Sequence, residues 1–440
     1  MFGLPVTATA PFCPSEVAGS ISVSAAASIW KKIAAFAGPG LLISVGYMDP
    51  GNWATAIQAG ATYGYQLLFV VVLSSIAAIV LQCLSMRLGI ASGKDLAVQC
   101  REHYSIPAGR TMWLLAEIAI IACDLAEVLG CALAFKLMLN VSLPIGVVLT
   151  AFDTLIVLGL KGKGFRQVEA IILALIITIA GCLFAELLLV KPDWHGVGLG
   201  LMPSVALLSG RDALYLAIGI LGATVMPHNL YLHSSIVQTR QVEPTDSGRR
   251  EAIGLARFDT IFSLLLALLV NGAILVLAAA AFNATGNTAV QDIDQAYHLL
   301  DPIAGTALAG VLFGVGLFAS GQSSTFTGTI AGQVIMEGFL KLKIPCWQRR
   351  VITRGLALIP ALIGVMLLGE NSVGRLLIMS QVVLSVQLPF VMYPLIRLTS
   401  RKDVMGVFVN SRLTMLVAWG LFVLISVANA WLVFQLFNLR

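Results

Sequence analysis

Eleven apolar runs, most of them at or beyond the ~20 residues that a helix needs to cross a bilayer, divide this 440-residue chain. They fall at roughly 37–66, 67–93, 111–137, 145–160, 166–190, 211–239, 255–282, 303–338, 351–369, 373–398 and 412–438. Hydrocarbon offers no hydrogen bonds, so each run must satisfy its own backbone, which predicts an all-α polytopic membrane protein. Only 11% of residues are charged, against about 25% in an average soluble domain, and the mean hydropathy is +0.92. A soluble enzyme, a nucleic-acid binder and a disordered scaffold all fit this composition poorly. No hydrolase, phosphate-cradle or redox-cofactor motif is present, so neither a nucleotide nor a resident cofactor is expected.

The basic residues report orientation. With alternate loops assigned to opposite sides, 22 of the 27 Lys and Arg residues fall on one side. Only Lys136, Lys191, Arg211, Arg375 and Arg440 fall on the other. That bias places the N-terminus in the cytoplasm and, after an odd number of spans, the C-terminus outside. Residues 1–36 lack a secretory pattern and read as a mobile cytoplasmic tail, with one transmembrane domain over 37–440. Seven cysteines show no metal-binding spacing and read as small buried apolar residues.

Two runs are broken at matching places. In the first, Asp49-Pro50-Gly51-Asn52 interrupts the apolar pattern; in the sixth, Met226-Pro227-His228-Asn229 does the same. Pro50 and Pro227 lie 177 residues apart, as do Asn52 and Asn229. Each break opens a block of five spans, and because five is odd the two blocks cross the membrane in opposite senses. Two inverted repeats are expected, over 37–195 and 211–398, with an extra helix at 412–438. The paired breaks at Pro50, Gly51 and Pro227 would then frame a site at the bilayer midplane. Two ordinary proline kinks are the plainer alternative, but a carboxylate at membrane depth is costly and points to function.

Unwound backbone frees carbonyl oxygens that attract a cation. Asp49 adds charge, Asn52 a neutral hard oxygen and Met226 a soft sulfur. Oxygen alone suits Mg²⁺ or Ca²⁺, whereas a thioether favours first-row transition metals such as Mn²⁺ or Fe²⁺. For Met226 alone, packing against the first span remains an alternative.

Asp49-Pro50-Gly51-Asn52 and Met226-Pro227-His228, followed by Tyr-Leu-His-Ser, resemble the two signature motifs of the Nramp family of proton-coupled divalent metal transporters. The similarity runs from about Gly38 to the last span. It takes in Asp124-Leu-Ala-Glu127, Ser380-Gln381 and Trp347-Gln-Arg349-Arg350, and the short tails are most similar to the bacterial manganese-uptake branch. The resemblance implies a LeuT-like fold and a metal held by Asp49, Asn52, Met226 and the carbonyls of Gly46 and Ala223, with Gln381 joining in some states. Gly46 stands where many relatives have alanine.

Glu117, Asp124 and Glu127 punctuate the third run. At 100° per residue the seven-residue step closes to within about 20° of full turns and the three-residue step to within about 60°, so all three carboxylates share a face. Spacing alone leaves a proton relay and a static polar network equally open. The resemblance implies the relay, from Asp49 and His228 through Asp124 and Glu127 towards Arg349 and Arg350. His233 reads as structural. Glu186 and Asp153, each alone in an apolar run, should hydrogen-bond locally, and Arg354 should snorkel to the cytoplasmic surface or pair with an acid. Ser320–Thr329 should pack closely or line a vestibule.

The expected activity is proton-coupled import of divalent metals through a bacterial inner membrane, with the metal, protons and the lipid bilayer as partners. A sodium-coupled amino-acid symporter on the same fold is the alternative within transport. A non-transporting membrane subunit is the alternative outside it.

Overall fold

The computed structural model describes residues 17–23, 28–152, 165–204, 210–290, 292–306, 308–342, 344, 346–369 and 373–437. Within them the helices follow the apolar runs. The first span is two helices, Pro39–Gly46 and Pro50–Tyr63, and the sixth is Arg211–Thr224 and Pro227–Ile236. The second, third and fifth spans are Leu68–Ser92, Ile106–Leu139 and Phe165–Val190. The fourth is seen as Leu143–Thr150 followed by a turn at 151–152, with its run from 153 onward outside the described residues. Asp246–Ala278, Leu308–Leu340, Cys346–Leu368, Val373–Thr399 and Arg412–Phe437 complete the series.

The seventh helix starts well before its apolar run. Thr245 caps it, its hydroxyl accepting from Gly248 N at 3.1 Å, and the added turns are polar. Hydropathy marks where a helix enters lipid and is silent on where it begins in water. Short helices at Leu96–His103, Trp194–Gly200 and Ile293–Ala304 were likewise invisible to a bilayer-length pattern. Near the N-terminus, Ile29–Phe36 is helical, and Ile21–Ser22 pairs in parallel with Arg240–Gln241 just past the sixth span.

The broken spans sit at the centre. The sixth is 83% buried over its most apolar stretch, whereas the eleventh is 22% buried and forms a flank. The third and eighth spans pack extensively on each other, and the eighth also on the fifth. Large apolar side chains such as Phe184, Leu269, Met366 and Leu416 face outward, as a lipid-facing surface requires.

Contacts respect the alternation of sides. Lys32 pairs with Glu251 at 2.6 Å, Arg166 donates to Ala37 O at 2.7 Å, and Arg87 bonds Asn410. All of these groups lie at the ends assigned to the basic side. At the opposite ends, Lys136 pairs with Asp294 at 3.0 Å and Gly374 N donates to Asp292 at 2.8 Å.

Candidate metal site

The breaks follow from proline chemistry. A helical carbonyl accepts from the N–H four residues on, and proline has none. Gly46 is four residues before Pro50, and Ala223 four before Pro227. Both carbonyls therefore lose their helical donor. Asp49 and Met226 are the extended residues that start the second half-helices, with φ and ψ of −66° and 165°, and −81° and 120°. Other freed groups find partners on neighbouring spans: Asn271 Nδ2 donates to Tyr47 O at 2.6 Å, and Ser320 Oγ donates to Met48 O.

Asp49 is fully buried. Its Oδ1 accepts from the Asn52 amide at 2.9 Å and from Asn52 Nδ2 at 2.6 Å. Gln381 Nε2 approaches Oδ2 at 3.3 Å, passing over Gly51, where a Cβ would collide with that amide. Asn52 Nδ2 also donates to Ala223 O at 2.9 Å, which ties the first break to the second. Asp49, Asn52, Ala223 and Gln381 thus form one buried group. Met226 is buried beside Ala119, Cys123 and Leu384, on the third and tenth spans rather than against the first span alone. Among the described residues no group of three His, Cys, Asp or Glu residues is placed to hold a metal. Any cation here would rely on one carboxylate with carbonyl, amide and thioether donors, a mixed set suited to a borderline metal.

The carboxylates of the third span share a face, as their spacing predicts. Glu127 accepts from Ser324 Oγ at 2.7 Å, and a Cβ on Gly328 would touch Glu127 at 3.3 Å and Asp124 at 3.4 Å. Cys123 Sγ lies 3.4 Å from Glu127 Oε1 and 3.8 Å from His228 Nε2. A line of polar groups therefore runs from His228, beside the second break, to Glu127 and Asp124. Further along the span, Glu117 meets Arg349 at 2.6 Å. The Arg350 side chain and Asp153 lie outside the described residues.

Two expectations need correction. Glu186 is buried, but neither carboxylate oxygen has a hydrogen-bond partner among the described residues; its apolar run offers no nearby donor. Of the two readings of Arg354, snorkelling fails: it is buried and donates to Thr150 O at 3.4 Å, because the ninth helix starts at Cys346 and carries it inward, where it lies within Coulombic reach of Glu127, as the acid-pairing alternative requires. The Ser320–Thr329 stretch packs closely, as expected: it is largely buried, and a Cβ on Gly321 would run into Cys131 Sγ, while the hydroxyls of Ser320 and Ser324 also donate to Met48 O and Glu127.

Two polar assemblies escaped the sequence. Gln82 donates to Tyr47 Oη at 2.7 Å, and its carbonyl oxygen meets His233 Nδ1 at 2.9 Å. His233 thus belongs to a chain of side chains closing under the first break. Nearer the basic end, Arg240 pairs with Glu169 at 2.7 Å and donates to Ala37 O at 2.8 Å, while Asp259 accepts from Gly40 N at 2.7 Å. Both Arg240 and Glu169 are buried. This cluster holds the start of the Pro39–Gly46 half-helix in place. Charges within apolar runs were the available signal, but nothing in the sequence paired them.

The chain matches the Nramp family model, described as natural resistance-associated macrophage protein-like, over residues 40–435. It is 67% identical over 432 residues to the divalent metal cation transporter MntH of Ralstonia nicotianae, covering 98% of both chains. The structure of the Eremococcus coleocola manganese transporter in complex with an aromatic bis-isothiourea substituted compound superposes with a TM-score of 0.88 at 37% identity, covering 95% of this chain and 90% of that one. Mhp1, a nucleobase-cation-symport-1 family transporter, shares the fold at a TM-score of 0.62 and 13% identity, covering 98% of this chain and 96% of that one. With its two inverted five-helix repeats, discontinuous first and sixth helices and extra eleventh helix, the chain has the LeuT-like fold and belongs to the Nramp family.

Proposed function

We propose that this protein imports divalent first-row metals such as Mn²⁺ and Fe²⁺ into the cytoplasm, coupled to protons, by alternating access in a bacterial inner membrane. The N-terminus and the basic loops face the cytoplasm and the C-terminus lies outside. The observation that carries this reading is the Asn52 carboxamide bridging the Asp49 carboxylate and the Ala223 carbonyl, so that both breaks meet at one buried charge.

A bare carboxylate at this depth is costly. A divalent cation supplies the missing countercharge, competes with a proton for Asp49, and gathers the Asn52 and Gln381 amide oxygens, the Gly46 and Ala223 carbonyls and the Met226 sulfur. The displaced proton has a route through His228 on the sixth span to Glu127 and Asp124 on the third, and out past the Glu117–Arg349 pair. The metal itself leaves when the Tyr47–Gln82–His233 chain and the Arg240–Glu169 cluster release the first half-helix. Proton and metal thereby move in the same direction along different walls.

Mn²⁺ uptake into proteoliposomes under an inward proton gradient tests this. Asp49→Ala should reduce uptake to the background of empty vesicles. Full retention would refute the site.

A further inference from the structure

The two breaks share more than their prolines. A shift of 177 residues carries Gly46 onto Ala223, Asp49 onto Met226, Pro50 onto Pro227 and Asn52 onto Asn229. Each asparagine is the third residue of its half-helix. In the first repeat the function of that position is visible: Asn52 Nδ2 reaches across and donates to Ala223 O at 2.9 Å, the carbonyl that Pro227 deprives of its helical donor.

Asn229 occupies the matching place facing the other way. It is fully buried, and neither its Oδ1 nor its Nδ2 has a hydrogen-bond partner among the described residues. A buried carboxamide left without partners is costly, and such groups call for an explanation. Its carboxamide lies directly on Gly46. A Cβ built there would run into Asn229 Nδ2 and come within 3.1 Å of Cγ and 3.2 Å of Oδ1. Only glycine leaves room for this approach. Gly46 is also the residue whose carbonyl Pro50 deprives of a donor. The free donor of the second break thus sits against the free acceptor residue of the first.

We propose that Asn229 is a positioning residue of the metal site, whose carboxamide seats the free Gly46 carbonyl towards the ion as Asn52 seats that of Ala223. The inference rests on the site reading given above. Under it, the two asparagines form a crossed pair, each orienting the main-chain ligand supplied by the opposite repeat. The glycine at 46 and the asparagine at 229 are one device, because a side chain at 46 would evict the carboxamide.

The test is Mn²⁺ binding to the purified full-length protein by calorimetry, alongside uptake kinetics in proteoliposomes. The variants are Asn229→Leu, Gly46→Ala, their double mutant and Asp49→Ala. Asn229→Leu should raise both Kd and KM roughly three- to tenfold, the range of a single neutral hydrogen bond, which the proposal has the carboxamide form to the Gly46 carbonyl in the ion-bound site. Its kcat should stay within about twofold, as loss of uniform binding requires. A purely structural role would lower the yield of folded protein and kcat and leave Kd alone. Gly46→Ala should weaken binding in the same direction, and the double mutant should be no weaker than the worse single, because both remove one contact. Unchanged Kd in Asn229→Leu, or effects that multiply in the double mutant, would overturn the proposal. If Asn229→Leu does not fold, unchanged Kd in Gly46→Ala overturns it equally. Wild-type binding by Asp49→Ala would defeat the site reading itself; binding lost there but intact in Asn229→Leu would defeat this inference alone.

Discussion

Glu117 and Arg349, 232 residues apart in the chain, meet through Nη2 at 2.7 and 2.6 Å from the two carboxylate oxygens. The pair ties the third span to the ninth at the far end of the face that also carries Asp124 and Glu127. An acidic row that starts beside one helix break and ends on an arginine has the layout of a path for charge.

Under the proposed function, that layout would separate protons from metal. Asp124→Asn should reduce Mn²⁺-driven acidification of the vesicle lumen severalfold while reducing Mn²⁺ uptake less, measured with a trapped pH dye and a metal dye in parallel. Losses in equal proportion would argue against a dedicated relay.

In the proposed site Met226 would contribute the soft donor. With alanine there, discrimination against Ca²⁺ and Mg²⁺ should fall by roughly tenfold, equivalent to about 1.4 kcal/mol, while Mn²⁺ uptake persists. A hard-ligand site loses selectivity when nothing penalises hard ions. Competition uptake with Ca²⁺ measures this, and an unchanged competition constant would remove the thioether from the argument.

Glu169→Gln strips the buried Arg240 of its countercharge. Breaking such a pair is destabilising by about 3–5 kcal/mol, and here the loss falls on contacts that fix the Pro39–Gly46 half-helix. A cysteine at the buried Ser44 position should therefore react several times faster with a membrane-impermeant maleimide applied from the basic side. Equal labelling rates would show that the cluster does not hold the half-helix.

Asp95 lies outside the spans, in the wall of a cavity of about 540 Å³ shared with Lys94, Arg101, Glu337 and Lys341. Burial pushes its carboxyl up from 3.8 to about 6. A raised acid favours the fold while protonated, so its contribution is complete below about pH 4 and is lost as pH rises through 6. Asp95→Asn can still cap the Leu96–His103 helix, where Asp95 accepts from Val98 N at 2.8 Å. The variant should match wild type near pH 4 and exceed it at pH 7 by up to about 3 kcal/mol. Melting curves across that range in detergent would show it, and a constant difference would count against the titration.

The spans and their breaks were legible because lipid imposes a length and because proline and aspartate stand out in an apolar run. The shared face of Glu117, Asp124 and Glu127 followed from helical periodicity alone. What stayed hidden depended on which spans meet. Nothing local to Gln82 or His233 indicates that the two bond each other under Tyr47, and nothing near Arg240 points to Glu169. Glu186 shows the opposite failure: a lone acid was expected to find a local donor, and packing supplied none among the described residues. The Asn229 carboxamide was visible as half of a repeat, but its bearing on Gly46 emerged only when both breaks were seen together.

The proline-freed carbonyls at Gly46 and Ala223 have a consequence for how such a protein can change over time. A ligand made of main chain survives any substitution at its own position, so mutation there cannot swap one donor element for another. It can only alter how the peptide is angled and how closely neighbours approach it. If the proposed site holds, divergence at those positions would retune binding strength in small steps, whereas a switch of cargo would have to come through Asp49, Asn52 or Met226, where one side chain changes the chemistry outright.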